Sequence, residues 1–498
     1  MKDNELTTIN FNAETSPPQK PKESKAGFNA KLAFAIIAAA LGSSFQHGYN
    51  TGVLNNPQTL IQSWMSSVIT NRTEGEVPSQ SHITMLWSIA VSIFCIGGMI
   101  GGVMTGYVAD RYGRKGGLLI NNILVVVAVI LEGASKSAGS FEMIILGRFF
   151  IGINSGLNAG LAPMYLAEIS PVNLRGAVGT VYQLVITISI LIAQVLGLNS
   201  LLGTEDLWPT LLAITVLPSI FQMFTLPICP ESPKYLLVGR GKEIEAQRAL
   251  TWLRGPSVSV QDEMDEMRAE YEASKLVSKV TIRELLTNNS LRIPLIISVV
   301  IMLAQQFSGI NAVMFFSTQI FMEAGLTAEN ASYATMGMGS INVLMTIVSL
   351  VLVEKAGRKT LLLIGFSGMG VVTLLLTFAM SFSKEAVWLS YLCIVLILAF
   401  VIMFATGPGS IPWFLVSELF NQSARPAATS LAVATNWAAN FLVGLGFLPL
   451  QDVMQSYVFI IFTVIIVLTV AFIYKKVPET KNKTMEEISA MFRQQSYQ

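Results

Sequence analysis

Long apolar runs and short polar segments alternate along this chain twelve times. The apolar runs fall at about 30–52, 84–108, 117–136, 142–163, 177–199, 209–229, 293–320, 332–353, 360–380, 387–415, 429–448 and 455–474. Each reaches the roughly 20 residues a helix needs to cross hydrocarbon. Amides in hydrocarbon must bond within their own segment, so these runs are predicted to be helices; the alternating pattern of a membrane barrel is absent. Composition agrees, with 52% hydrophobic and 13% charged residues among 498, where soluble domains carry about 25% charged. The chain reads as an all-α membrane protein, with lipid as its main solvent. A net charge of +1 gives no hint of nucleic acid as a partner.

Lys and Arg orient the spans. With the N-terminus inside, the outside loops hold only Arg72, Lys136 and Lys384. The short inside loops hold Arg111, Arg114, Lys115, Arg175, Lys355, Arg358, Lys359 and Arg425. That asymmetry predicts a multi-pass protein with both termini in the cytoplasm. Residues 1–28 are polar, with no apolar core and cleavage site, and read as a disordered tail. Asn71-Arg72-Thr73, in the long first outside loop, is the expected glycosylation acceptor; Asn330-Ala331-Ser332 sits close to a span. Cys95, Cys229 and Cys393 read as small buried hydrophobes. No residue cluster calls for a metal, a cofactor or a catalytic role, and no obligate protein partner is implied.

The charges at the inside ends repeat. Asp110-Arg111-x-Gly113-Arg114-Lys115 follows the second span, and Glu354-Lys355-x-Gly357-Arg358-Lys359 the eighth. Glu168 precedes Arg175 by seven residues after the fourth span, as Glu418 precedes Arg425 after the tenth. Pro230-Glu231-Ser232 closes the sixth span and Pro478-Glu479-Thr480 the twelfth. Three matched pairs in order mean a six-plus-six duplication. The expected division is a tail at 1–28, a six-helix half at 29–230, a cytoplasmic helical connector at 231–292, a second half at 293–475 and a tail at 476–498.

These residues resemble a family. Asp110-Arg111-Tyr112-Gly113-Arg114-Lys115 is similar to the signature loop of the major facilitator superfamily. Pro230-Glu231-Ser232-Pro233-Lys234, Gln305-Gln306-Phe307-Ser308-Gly309-Ile310-Asn311, Gly407-Pro408-Gly409-Ser410-Ile411-Pro412-Trp413, Asn436-Trp437 and Pro478-Glu479-Thr480-Lys481 resemble the facilitative hexose transporters of the sugar porter family. The resemblance covers about 30–490. It implies the major facilitator fold and passive, alternating-access uniport of a hexose, glucose and also fructose, across the plasma membrane.

A neutral polyol needs groups that both donate and accept hydrogen bonds, with an aromatic surface against its C–H face. The seventh span offers Gln305, Gln306 and Asn311, and their spacing requires a broken helix, which Ser308-Gly309 makes feasible. The resemblance adds Gln183, Asn342, Trp413 and Asn436 as sugar contacts. Gln46, Asn50 and Asn55 are further polar candidates on the first span. Gly407, Pro408, Gly409 and Pro412 cannot form unbroken helix and read as a gate hinge that swings with Trp413.

Three departures from the family pattern bear on specificity. Met302-Leu303-Ala304 stands where many glucose carriers have Gln-Leu-Ser, Ala405 stands where a glutamate is frequent, and His47 stands where an aromatic is usual. The first is associated with fructose acceptance. His47 reads as a packing residue or one added polar contact.

Related proton-coupled symporters carry an aspartate where Asn50 stands, paired to an arginine at the position of Arg148. An amide cannot cycle a proton near neutral pH, so uniport is expected and a proton-coupled sugar symporter is the alternative. The family resemblance pairs Glu168 with Arg425 and Glu418 with Arg175 as an inside latch, joined by Arg114, Lys115, Glu231, Glu354, Arg358, Lys359 and Glu479.

Overall fold

The computed structural model describes residues 27–497, apart from Val277, Gln422, Ser423, Asn482 and Thr484; for Arg175 and Glu354, among others, it describes the backbone alone. Residues 1–26 of the expected tail lie outside the described residues. Nine spans are continuous: the first Ala30–Gly52, second Gln80–Tyr112, third Arg114–Ala138, fourth Glu142–Ile169, fifth Arg175–Leu196, eighth Ala328–Lys355, ninth Arg358–Ser381, eleventh Arg425–Met454 and twelfth Val458–Lys476. Three are broken. The sixth is Trp208–Ala213 with Val216–Thr225, the seventh Asn289–Phe307 with Ile310–Glu323, and the tenth Val387–Thr406 with Ile411–Leu419.

Among the described residues, ten stretches are long and apolar enough to cross a membrane. One of these, Arg425–Lys476, is 52 residues long and folds back at Gln455–Tyr457 into the eleventh and twelfth spans. Ala30–Gly52, diluted by Ser43, Ser44, Gln46 and Asn50, completes the twelve. Both described chain ends emerge on one face of the bundle, here called the terminal face.

Close helix approach follows from glycine pairs. A Cβ at Gly97 or Gly101 would lie 2.4 or 2.3 Å from the fourth-span carbonyls of Phe149 and Ile153. Gly152 and Gly156 of the fourth span meet the second span equally closely. Without a hydrophobic drive between helices in lipid, such small-residue stripes supply van der Waals contact between backbones. The neighbouring stripe on the second span, Gly98 and Gly102, faces the other half instead. A Cβ at Gly98 would meet the Trp437 ring at 2.7 Å, and one at Gly102 would meet Val433 at 3.3 Å. One turn further, at Gly106, nothing lies within 4 Å. The seam between the halves therefore opens toward the terminal face.

Among the described residues, five α-helices lie outside the spans. Glu243–Arg254, Gln261–Lys275 and Ile282–Thr287 are short helices between the halves. Arg254 holds them to the first half, donating to the Ile169 carbonyl at 2.7 Å while pairing with Glu263 at 2.9 Å. Asn29 donates to the Leu253 carbonyl at 2.8 Å. On the opposite face Gln58–Arg72, part of what the sequence presents as a loop, is a helix burying Ile61, Met65 and Val68. At the C-terminus Met485–Ser496 is helical and buries Ile488 and Phe492 against the second half.

The break in the seventh span depends on Gly309. Its φ of +96° is a left-handed conformation, and a Cβ there would meet the Phe462 ring at 2.8 Å. Gly309→Ala should therefore cost at least roughly 1–2 kcal/mol from backbone strain alone. A lower melting temperature in detergent is the expected result, and an unchanged one would show that the break does not require glycine.

Candidate functional site

The breaks in the seventh and tenth spans lie side by side, and side-chain amides join them. Gln305 donates to the freed carbonyls of Pro408 at 2.8 Å and Gly409 at 3.0 Å. Its own carbonyl oxygen accepts from Asn436 Nδ2 at 2.6 Å. Asn436 Oδ1 accepts from Gln306 Nε2 at 3.1 Å, and Gln306 Oε1 accepts from Asn311. The left-handed turn at Gly309 carries Asn311 back toward Gln306. Four of the expected contacts thus form one continuous chain, uncharged and rich in both donors and acceptors. Asn342 is buried on the eighth span but makes no hydrogen bond to this chain among the described residues. Gln183 is exposed on the fifth span, and Trp413, just past the tenth-span break, is 40% exposed.

The structure places Gln46 and Asn50 of the first span apart from that amide chain. Both are buried within the first half and turned toward the break in the sixth span. Gln46 donates to the Thr215 carbonyl at 2.7 Å and accepts from the Thr215 hydroxyl. Asn50 donates to Thr215 Oγ1 at 3.0 Å and to the Gln46 carbonyl at 2.8 Å. These amides cover a helix break and pack helices together in this conformation. The face of the first span that meets the second half carries His47, and Asn55 follows in the turn just past the end of the helix. His47 stacks on Trp437 of the eleventh span, with ring centroids 5.8 Å apart.

Asn55 closes the seam at the face opposite the chain ends. Its Nδ2 donates to Ser317 Oγ at 2.6 Å and to the Met314 carbonyl at 3.2 Å, while its Oδ1 accepts from the Thr318 amide at 3.0 Å. Met314 and Thr318 stand four apart across Phe316, whose φ of −128° departs from helical geometry. The Asn55 amide thus bridges a donor and an acceptor that an unbroken helix would pair directly. Asn56 adds to the closure, donating to the Gln194 carbonyl at 2.7 Å and accepting from Thr318 Oγ1 at 2.8 Å.

Arg148 and Asn50 do meet: Arg148 Nη1 donates to the Asn50 carbonyl at 2.6 Å, and its guanidinium lies over Phe94. Glu132 of the third span is a residue the sequence reading passed over. It is buried against Gly147, and its Oε1 has no hydrogen-bond partner among the described residues. A charge inside an apolar run is the signal that marks it.

At the terminal face the repeated charges build two matching clusters, one in each half. In the first, Glu231 accepts from the backbone amides of Arg114 at 3.1 Å and Lys115 at 2.9 Å, capping the third span. Arg114 pairs with Glu168 at 3.0 Å, and Ser232 donates to Glu168. In the second, Glu479 accepts from the Arg358 amide at 2.8 Å. Arg358 pairs with Glu418 at 3.1 Å, and Thr480 donates to Glu418. Arg425 donates to the Ser417 and Phe420 carbonyls of its own half, so Glu168 and Arg425 are not paired here. The side chains of Arg175 and Glu354 lie outside the described residues. Asn71 is exposed on the helix of the opposite face.

Residues 35–492 match the family described as Sugar (and other) transporter. The chain is 48% identical over 472 residues to the solute carrier family 2, facilitated glucose transporter member 1, of Gallus gallus, covering 95% of each. It is 47% identical over 465 residues to the facilitated glucose transporter protein 1 of Caenorhabditis elegans, covering 93% of this chain and 90% of that one. The partially occluded, inward open xylose transporter XylE from E. coli aligns over 92% of this chain and all of its own, with a TM-score of 0.76 and 26% identity. The same proton:xylose symporter bound to 6-bromo-6-deoxy-D-glucose aligns with a TM-score of 0.73.

The joint between the two breaks is testable. Gln305→Leu would strip two buried carbonyls and the Asn436 amide of their partner, at roughly 1–3 kcal/mol for each unsatisfied group. A clearly lower melting temperature in detergent is expected; wild-type melting would mean that water covers these groups in the absence of Gln305.

Proposed function

The chain belongs to the sugar transporter family of the major facilitator superfamily, and we propose on that premise that it carries hexoses passively across the plasma membrane by alternating access. The observation that carries this reading is the uncharged amide chain Gln305–Asn436–Gln306–Asn311 beside two broken helices. Such groups suit the hydroxyls of a neutral polyol, and among the described residues no charged side chain is bonded to them that would demand an ionic substrate. Gln183, Asn342 and Trp413 complete the proposed sugar contacts. Glucose is the primary substrate and fructose a second one, on the strength of Met302-Leu303-Ala304.

The terminal face is assigned to the cytoplasm by the Lys and Arg bias, with 231–292 as the connector between halves 29–230 and 293–475. The seam then opens inward, as it does in the inward open xylose transporter. Asn71 lies outside and is the proposed glycan acceptor.

Uniport follows from Asn50, whose amide cannot take up and release a proton. The symporter alternative would have to rest on Glu132, among the described residues the one fully buried carboxylate. Reconstituted vesicles distinguish the two. Labelled glucose should equilibrate, compete with fructose, and never exceed the outside concentration under an imposed proton gradient. Accumulation would overturn uniport, and absence of hexose uptake would overturn the substrate.

Closing the cytoplasmic mouth would let Glu168 and Arg425 exchange their present partners for each other. Ligands that bind from outside select the outward-open population. Glu168→Arg or Arg425→Glu alone should weaken them severalfold, and the double reversal should recover part of the loss, because the pair attraction survives the swap. The thermodynamic cycle over the three variants isolates that coupling. Strictly additive effects would remove the direct pair.

A further inference from the structure

The seam that Asn55 and Asn56 close on the face opposite the chain ends is not packed solid. Two adjoining cavities lie there, of about 110 and 300 Å³, and Asn199 and Ser332 line both. Asn56, Gln58 and Asn199 of the first half and Thr318 and Ser332 of the second line the smaller one. Ser200 of the first half and Glu329 and Tyr333 of the second add to the larger. Each cavity is therefore built by both halves, and drawing the halves apart on this side would take its walls away. The larger volume lies at the lower end of the range for ligand pockets, about 300–1,000 Å³, which suits a monosaccharide.

The lining has the chemistry of a sugar site. Gln58 is only 4% exposed, and its Oε1 makes no hydrogen bond among the described residues. The Ser332 hydroxyl donates to the Ala328 carbonyl at 3.0 Å, which leaves its oxygen able to accept. Asn199 is exposed, and its amide offers both a donor and an acceptor. Tyr333 is exposed as well, with a ring that can supply the flat surface a sugar sets its C–H face against. Among the described residues neither cavity is lined by Lys or Arg, and Glu329 is the only carboxylate. Such a lining accepts hydroxyl protons and favours a neutral polyol over an anion.

We propose that this outer seam is a second sugar site, which takes a free hexose from outside and holds the outer gate shut. The central amide chain serves a sugar that passes through both arrangements, whereas the seam site is complete in one of them. A ligand shifts a two-state equilibrium toward the state that binds it better, so a hexose in the seam favours the inward-open state. External hexose then acts in two opposed ways. At low concentration it loads the carrier from outside, and at high concentration it delays the reopening of the outer side. The inference rests on alternating access with the terminal face inside, and the experiment separates the two.

Right-side-out vesicles holding the full chain are preloaded with labelled glucose, and its exit is measured against rising unlabelled glucose outside. A carrier with a central site alone gives an exit rate that rises to a plateau. Here the rate should pass through a maximum and then fall, roughly twofold once external glucose reaches the dissociation constant of the seam site, because occupancy doubles the weight of the closed-outside state. Gln58→Leu and Tyr333→Ala, one from each half, should keep the rise and lose the fall. The inference is overturned if the wild-type rate only reaches a plateau, or if both variants retain the fall at the same concentration. A wild type that releases no labelled glucose overturns the hexose reading instead.

Discussion

A helix in hydrocarbon cannot be interrupted without covering the backbone groups that the interruption frees, and this constraint organises the centre of the molecule. An uncovered amide or carbonyl in lipid costs several kcal/mol. At the tenth-span break the exposed carbonyls belong to Pro408 and Gly409, and Gln305 covers both. At the sixth-span break the Thr215 carbonyl is covered by Gln46. At the kink near Phe316 the Asn55 amide stands between Thr318 and Met314. Side-chain amides are suited to this task because each carries a donor and an acceptor in a backbone-like arrangement. Gln305 consequently has two roles: it holds the break together, and it orients Asn436 and, through it, Gln306.

That coupling would let the proposed binding and movement share residues. The tenth-span break is the expected hinge for Trp413, and its carbonyls are held by a residue whose other end joins the amide chain. A sugar that recruits Asn436 or Gln306 would compete with bonds that reach the hinge within two links. The Asn55 bridge has a similar logic at the far face. When Asn55 withdraws, Thr318 and Met314 are four residues apart and could pair with each other. The kink could then straighten without stranding a donor, which keeps the opening of that side inexpensive.

Much of this was legible in the chain because membrane helices announce themselves by length and apolarity. The broken seventh span followed from Ser308-Gly309 and from amides whose spacing no straight helix could bring together. The duplication followed from charges, and it reappears in three dimensions as the clusters Arg114–Glu168–Ser232 and Arg358–Glu418–Thr480. The first span was harder to read. Residues 42–50 are nearly all small or polar, so no apolar stripe distinguishes the side that meets Thr215 from the side that meets Trp437. Gln46 and His47 are neighbours in sequence, yet they face different halves. Glu132 escaped notice because one acid barely perturbs a long apolar run. The helix at Gln58–Arg72 was detectable, since Ile61, Met65 and Val68 follow helical spacing. So was the one at Met485–Ser496, through Ile488 and Phe492.

The terminal-face clusters bear on the energy gap between the two conformations. A latch broken into water would leave its charges to solvent alone, whereas here Glu168 and Glu418 keep an arginine and a hydroxyl within their own halves. Closing the mouth would then exchange partners rather than create pairs from nothing. Exchanges of this kind in partly hydrated surroundings are worth about 0–1 kcal/mol. Glu231 and Glu479 take no part in the exchange as long as they cap the third and ninth spans, where a carboxylate at a helix N-terminus contributes roughly 0.3–1 kcal/mol in either state. The halves can therefore move as rigid bodies with their internal caps intact. On the proposed exchange, the states would differ by a few contacts at each end of the seam, and a gap that small is one that the binding of a sugar can tip.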